Sequence, residues 1–247
     1  MSDVLRAQRL SKRFGGAPAL VNASLTLDRG DFAVILGPSG SGKTTLFRCL
    51  TRLTEPDSGE IYVAGEPLHG LRGAALKRAR RRIGVVFQQF NLIKRRTALE
   101  NALMGALGRT PPWRVALGRF SRADVEAAEA ALAAVGLQDK MRQRADTLSG
   151  GEQQRVAIAR ALTQKSAVLI ADEPVASLDP ASAEQVLTLM TDLRNARGMT
   201  VLCTLHQPHL ARAYASRLFV MRQGRLSEAP VGSMETAAEA PARSLSL

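Results

Sequence analysis

The chain has 247 residues, is 45% hydrophobic and carries a formal net charge of +12. That suffices for one α/β domain, or one with a modest insertion, whose core needs neither disulfides nor a structural metal. Its two cysteines, Cys49 and Cys203, have no metal-site or disulfide spacing, which suits a reducing compartment, and the basic surplus points to an anionic partner: nucleotide, nucleic acid or acidic lipid.

The start, Met1 to Val4, lacks the apolar core of a signal peptide. No run approaches the roughly 18 apolar residues of a membrane-spanning helix, so the chain is expected to be soluble and to reach a membrane through a partner. Val4 to Leu10 and Leu20 to Leu27 read as strands, punctuated by Gly15-Gly16 and Asp28-Arg29-Gly30. Phe32 to Leu36 is wholly apolar, as in a strand buried on both faces. A glycine-rich turn follows, then a helical pattern through Leu46, Leu50 and Leu53, closed by the turn Glu55 to Gly59. Ile61 to Val63 and Ile83 to Phe87 are further strands. The basic run Lys77 to Arg82 reads as a solvated helix face, or as a contact for anionic lipid or a partner.

From about Phe90 to Thr147 the β signal fades. Helices are expected at Leu99 to Leu107 and Arg122 to Val135, with a loop holding Pro111-Pro112-Trp113 between them. A helix over Gly151 to Leu162 and a buried strand over Val168 to Ala171 come next. Helix, strand (Thr200 to Thr204), helix and two short strands complete an α/β order. The expected organisation is one domain over 1–228, with a helical subdomain inserted at about 90–150. The remainder, 229–247, is rich in Ala, Ser, Glu and Pro and reads as a flexible tail.

Three motifs carry chemistry. Gly37-Pro38-Ser39-Gly40-Ser41-Gly42-Lys43-Thr44 fits G-x-x-x-x-G-K-[ST] between a buried strand and a helix. Its glycines let backbone N–H groups turn toward phosphate oxygens, and the helix start adds a positive dipole end. Lys43 is expected to reach the β- and γ-phosphates, Thr44 to offer its hydroxyl to Mg²⁺, and Thr45 to meet the α-phosphate. Val168 to Ala171 then delivers Asp172 and Glu173 at a strand end. Asp172 would hold Mg²⁺ and Glu173 would polarise the attacking water, an effect of about 10²–10⁴-fold for a general base. Third, Ser149 and Glu152 in Leu148-Ser149-Gly150-Gly151-Glu152-Gln153-Gln154-Arg155 form an S-x-x-E capping box. The box does not explain Gly150 and Gly151, which cost helix stability and would let a second phosphate approach the helix start.

In that order, the LSGGEQQR run resembles the signature of the ATP-binding cassette (ABC) family, over about Val4 to Glu228. The resemblance implies a P-loop NTPase core with an N-terminal antiparallel β subdomain and an inserted α-helical subdomain. Gln88 resembles the family's Q-loop glutamine, which contacts Mg²⁺ and the attacking water. Ser177-Leu178-Asp179 resembles the D-loop, His206 the switch histidine on the γ-phosphate, and Phe14 the ring stacked on adenine. Implied as well are ATP and Mg²⁺, and a homodimer sandwiching two ATP molecules, with Ser149, Gly150 and Gly151 of one copy over the phosphate held by Lys43 of the other. Two transmembrane permease subunits, a substrate-binding protein acting indirectly and a place on the cytoplasmic face of the inner membrane follow, with no nucleic acid.

Several stretches resemble a phosphonate-import subgroup: Asn91-Leu92-Ile93-Lys94-Arg95, Leu107-Gly108-Arg109, Trp113-Arg114, Leu117-Gly118-Arg119-Phe120 and Glu173 to Pro180. Pro208-His209 and Ala106 depart from its usual residues, so phosphite or another phosphorus oxyanion stays open as the ligand. Two other classes compete: a non-transport cassette acting on ribosomes or DNA, and a small-molecule kinase. The first usually needs two cassettes in one chain or a long coiled coil, and the second leaves the signature unexplained. His69 and His209 read as structural histidines.

Overall fold

The computed structural model describes residues 3–231. Two sheets and a helical layer share the chain. The antiparallel sheet has the order β2-β1-β4-β5: β1 (Asp3–Phe14), β2 (Ala17–Asp28), β4 (Ser58–Val63) and the two-residue β5 (Glu66–Pro67). The first two strands extend beyond their apolar cores and meet across Gly15-Gly16, whose φ values of 54° and 85° suit a tight hairpin.

The second sheet has the order β10-β9-β3-β8-β7-β6, made of β3 (Phe32–Leu36), β6 (Ile83–Val86), β7 (Val168–Ala171), β8 (Thr200–Leu205), β9 (Arg217–Arg222) and β10 (Arg225–Ala229). Its strands pair in parallel except for the antiparallel edge strand β10. Continuous apolar runs form β3 and β7, and β8 departs from apolar only at Thr200 and Thr204, because both faces of this sheet are covered. Alternation then sorts the side chains. Phe32, Val34, Leu169, Ala171, Val201 and Cys203 join the core under the helices. Ala33, Ile35, Val168, Ile170 and Leu202 join a second core shared with the antiparallel sheet and α1 (Lys43–Leu50).

Between β4 and β6 lies α2 (Gly73–Arg80), with no buried residue, so the basic run starts as a solvated helix face. Between β6 and β7 come α3 (Ala98–Leu103), a 3₁₀ turn at Met104–Ala106, α4 (Pro112–Ala116), α5 (Arg122–Ala134), two more 3₁₀ turns and α6 (Gly150–Gln164). The stretch expected as a loop thus contains a short helix. Pro112 stands in its first turn, where a missing N–H costs nothing. The C-terminal helices are α7 (Pro180–Arg197) and α8 (Pro208–Tyr214). Asp179 caps α7, and Gly198 ends it at φ 61°.

Ala229, expected in the tail, closes β10, and both Ala229 and Val231 pack on the core. The rest of the expected tail, 232–247, lies outside the described residues. Cys49 and Cys203 are free and buried. Burial pushes their thiols up to about 11 and about 12, so both stay protonated and inert. No helix among the described residues is long and apolar enough to cross a membrane.

Candidate functional site

Three neighbouring parallel strands set the site. Register pairs Leu36 of β3 with Leu205 of β8, and Ala171 of β7 with Cys203 of β8. The loop after β3, the Asp172-Glu173 pair after β7 and His206 after β8 therefore emerge side by side at the carboxyl ends of the sheet, where open α/β sheets bind ligands.

The loop Gly37 to Gly42 has no room for side chains at its two ends. A Cβ on Gly37 would lie 2.3 Å from the Met221 carbonyl oxygen, and one on Gly42, at φ 108°, 2.6 Å from that of Ala19. Pro38, Ser39 and Gly40 are exposed, whereas Ser41 is buried with its hydroxyl unpartnered. Helix α1 then begins without a side-chain cap or an acidic residue in its first turn, and a lysine is its first residue. Both choices oppose the helix dipole, and an anion at this helix start would satisfy them together. The Lys43 ammonium is buried and donates to the carbonyls of Gly37 (2.7 Å) and Pro38 (3.0 Å). Burial lowers its pKa, and the charges of Glu173 and Asp172 oppose that shift.

Asp172 lies opposite Thr204. The Thr204 hydroxyl donates to Asp172 Oδ1 (2.9 Å) and accepts from the Glu173 N–H (2.8 Å). Burial raises the Asp172 pKa, and hydrogen bonds from Thr204 and Thr44 hold it down. One carboxylate beside a threonine hydroxyl suits Mg²⁺, which keeps several waters and takes phosphate oxygens rather than filling an all-protein cage. Among the described residues no group of three or more His, Cys, Asp or Glu is placed to hold a metal ion by itself. Glu173 has φ 49°, a left-handed backbone that a non-glycine residue holds only when its surroundings impose it. Its Oε1 lies 2.5 Å from His206 Nε2. Lys43, Thr44, Asp172, Glu173 and His206 thus form one cluster, and Thr204 joins it unforeseen, since a threonine inside an apolar strand gives no signal.

A second group gathers at α6. Ser149 and Glu152 make the expected capping box, at 2.9 and 3.3 Å. A Cβ on Gly150 would meet Leu178 at 3.2 Å, and one on Gly151 would meet Ser182 at 3.3 Å. Their smallness therefore also lets the Ser177-Leu178-Asp179 turn and α7 close on α6. Asp179 is exposed and accepts from the Ser182 N–H (3.0 Å). Among the described residues no hydrogen bond joins Ser149 to the first group.

Gln88 is exposed in a turn two residues past β6, which ends at Val86 rather than at the expected Phe87. After it, Phe90 and Asn91 take φ values of 54° and 52°. The Arg160 guanidinium, on α6, donates to both their carbonyls, at 3.1 and 2.6 Å, a link between α6 and the stretch after Gln88 that the sequence did not suggest. Phe14 ends β1 with 51% of its surface exposed. Thr45 is half-buried on α1. His69 contacts Ile61 and the Tyr62 ring, as a structural histidine does.

A family model described as ABC transporter matches residues 20–176. The chain belongs to the ABC transporter family. Among its relatives, a phosphonates import ATP-binding protein of Pseudomonas savastanoi pv. phaseolicola is 45% identical over 231 residues, covering 92% of this chain and 83% of that protein. One of Staphylococcus aureus strain MRSA252 is 44% identical, covering 90% and 87%. Solved structures agree. The ADP conformation of an ATP-binding cassette superposes with TM-score 0.80 at 29% identity, covering 92% of this chain and 90% of that one. A cassette dimer in a post-hydrolysis state, bound to ADP and Pi, gives 0.79 at 33% identity, covering 92% and 98%. With the family come ATP as the nucleotide and its hydrolysis as the cassette's activity.

Proposed function

We propose that this ABC cassette hydrolyses ATP to drive uptake of a phosphonate, or a related phosphorus oxyanion, through separate permease subunits at the membrane. The observation that carries the catalytic part is the meeting of Lys43, Asp172 and the Glu173–His206 pair at three adjacent strand ends. The substrate part rests on the names of the phosphonate-import relatives.

Lys43 and the loop amides grip the β- and γ-phosphates from one side. Bound Mg²⁺ would neutralise charge between those phosphates, with Thr44, Asp172 and Gln88 as its protein neighbours. Glu173 takes the proton of the attacking water as the O–P bond to the γ-phosphorus forms and the β–γ bridge bond breaks. His206 steadies the Glu173 carboxylate and faces the γ-phosphate, and Phe14 offers an exposed ring to adenine. Ser149, Gly150 and Gly151 of a second copy close over the γ-phosphate, with Asp179 at the seam, adding donors and excluding water.

Glu173→Gln tests the mechanism: it should retain ATP binding, lose turnover and accumulate an ATP-bound dimer in sedimentation. A variant that stays monomeric at saturating ATP and Mg²⁺ contradicts the sandwich. A deletion strain that still grows on a phosphonate as sole phosphorus source contradicts the assigned substrate.

A further inference from the structure

The segment from Leu107 to Arg122 holds none of the candidate site residues, yet it is built unlike the rest of the surface. Helix α4 buries none of its residues. Trp113 and Leu117 are 59% and 61% exposed, and Leu107 is 36% exposed. The Arg114 guanidinium sits 5.3 Å from the Trp113 ring centroid. Between Glu100 and Asp124 the chain has no acidic residue but four arginines: Arg109, Arg114, Arg119 and Arg122. Arg109 is held by Asp124 at 2.7 Å and Arg122 by Glu126 at 2.7 Å. Among the described residues no carboxylate pairs with Arg114 or Arg119. A depression of about 650 Å³ opens beside them, floored by Leu103, Phe120 and Val125.

The basic run lies against the same segment. At the end of α2, Arg81 donates to the Gly108 carbonyl at 3.1 Å. Arg80 and Arg82 turn to the Thr51 carbonyl and to Glu66. That leaves Lys77 and Arg78 outward on a helix with no buried residue. Two surface helices thus present cations without counter-charges, and one of them adds an indole and a leucine.

We infer that α4 and its flanks dock directly on an anionic bilayer surface. Trp113 and Leu117 would enter the head-group layer, and Arg114, Arg119, Lys77 and Arg78 would meet lipid phosphates. Indole rings partition to that layer, and amphipathic segments with arginines beside apolar tips bind it in proportion to apolar area and negative charge. A protein partner for so many unmatched cations would have to supply a dense carboxylate patch, whereas acidic lipids offer that charge everywhere. The inference extends the transporter reading, but the vesicle titration that carries its test needs neither ATP turnover nor permease, so either can fail alone.

Trp113 is the only tryptophan, so its emission reports this contact directly. Full-length protein is titrated with phosphatidylglycerol-rich vesicles and, in parallel, with phosphatidylcholine vesicles. The expected result is a blue shift on the anionic vesicles alone, quenching by brominated acyl chains, and reversal by salt. Arg114→Glu with Arg119→Glu should weaken vesicle partition by at least roughly 20-fold, at about fivefold per basic residue near an anionic surface, with ATPase activity unchanged. Leu117→Ser should reduce the blue shift while leaving salt-sensitive sedimentation with vesicles. An emission that ignores anionic vesicles while the protein still binds ATP overturns the inference. So does a shift that appears only with detergent-solubilised permease, which would make the partner a protein.

Discussion

Thr204→Val removes one hydroxyl from the centre of the candidate site and little else. Thr204 is 2% exposed, so valine should keep the packing of β8. Two hydrogen bonds disappear, the donation to Asp172 at 2.9 Å and the acceptance from the Glu173 amide at 2.8 Å. A bond to a charged acceptor is worth about 1.5–3 kcal/mol, and a buried amide left unpaired costs about 1–3 kcal/mol. Relaxation shares part of this loss with overall stability, leaving about 3 kcal/mol to be felt where Glu173 is held at φ 49°. At 1.36 kcal/mol per decade, turnover should fall by roughly 100-fold. The sign of the pH effect is also fixed. Burial already raises the Asp172 pKa, and the Thr204 hydrogen bond opposes that rise. Without it the carboxyl takes up its proton at higher pH, so the acid limb of the ATPase profile moves to higher pH. Steady-state ATPase assays across pH, with a thermal melt to separate stability from chemistry, read both effects, and Thr204→Ser should restore them. Turnover within about twofold of the parent, with an unmoved acid limb, would refute the role given to this hydroxyl.

Two other perturbations discriminate further. Gly37→Ala places a methyl 2.3 Å from the Met221 carbonyl and should abolish nucleotide binding in a fluorescent-ATP titration, while Gly40→Ala, with no atom within 4 Å but φ 75°, should cost only about 1–2 kcal/mol of backbone strain. Arg160→Ala should speed amide exchange around Phe90 and Asn91 and lower kcat more than ATP affinity; Arg160→Lys, which cannot fork to two carbonyls in the same way, should not restore it, and an unchanged exchange pattern would contradict the link.

The buried strands and the strong motifs were legible because their chemistry leaves residue patterns. Phe32 to Leu36 can only be covered on both faces, and a lysine after three glycines at a helix start has few structural uses. What the sequence concealed depends on register or on distant partners. Thr204 looks like any β-branched residue in an apolar strand until the pairing of Ala171 with Cys203 sets it opposite Asp172. Arg160 looks like a surface cation on an amphipathic helix, yet it crosses 70 residues to the Phe90 carbonyl. The Pro111-Pro112 pair suggested a loop because proline breaks helices, but at a first turn it starts one. Gly150 and Gly151 could be assigned only to a ligand from sequence, since the side chains of Leu178 and Ser182 that crowd them belong to later elements.

The placement of β8 between β3 and β7 governs when the protein first acquires a working centre. A nascent chain that has not reached Thr200 already contains Lys43, Asp172 and Glu173, but the strand that spaces them correctly is still missing. The strand between them is therefore made after both of its neighbours, and a fragment halted earlier leaves two apolar strand edges open to foreign pairing.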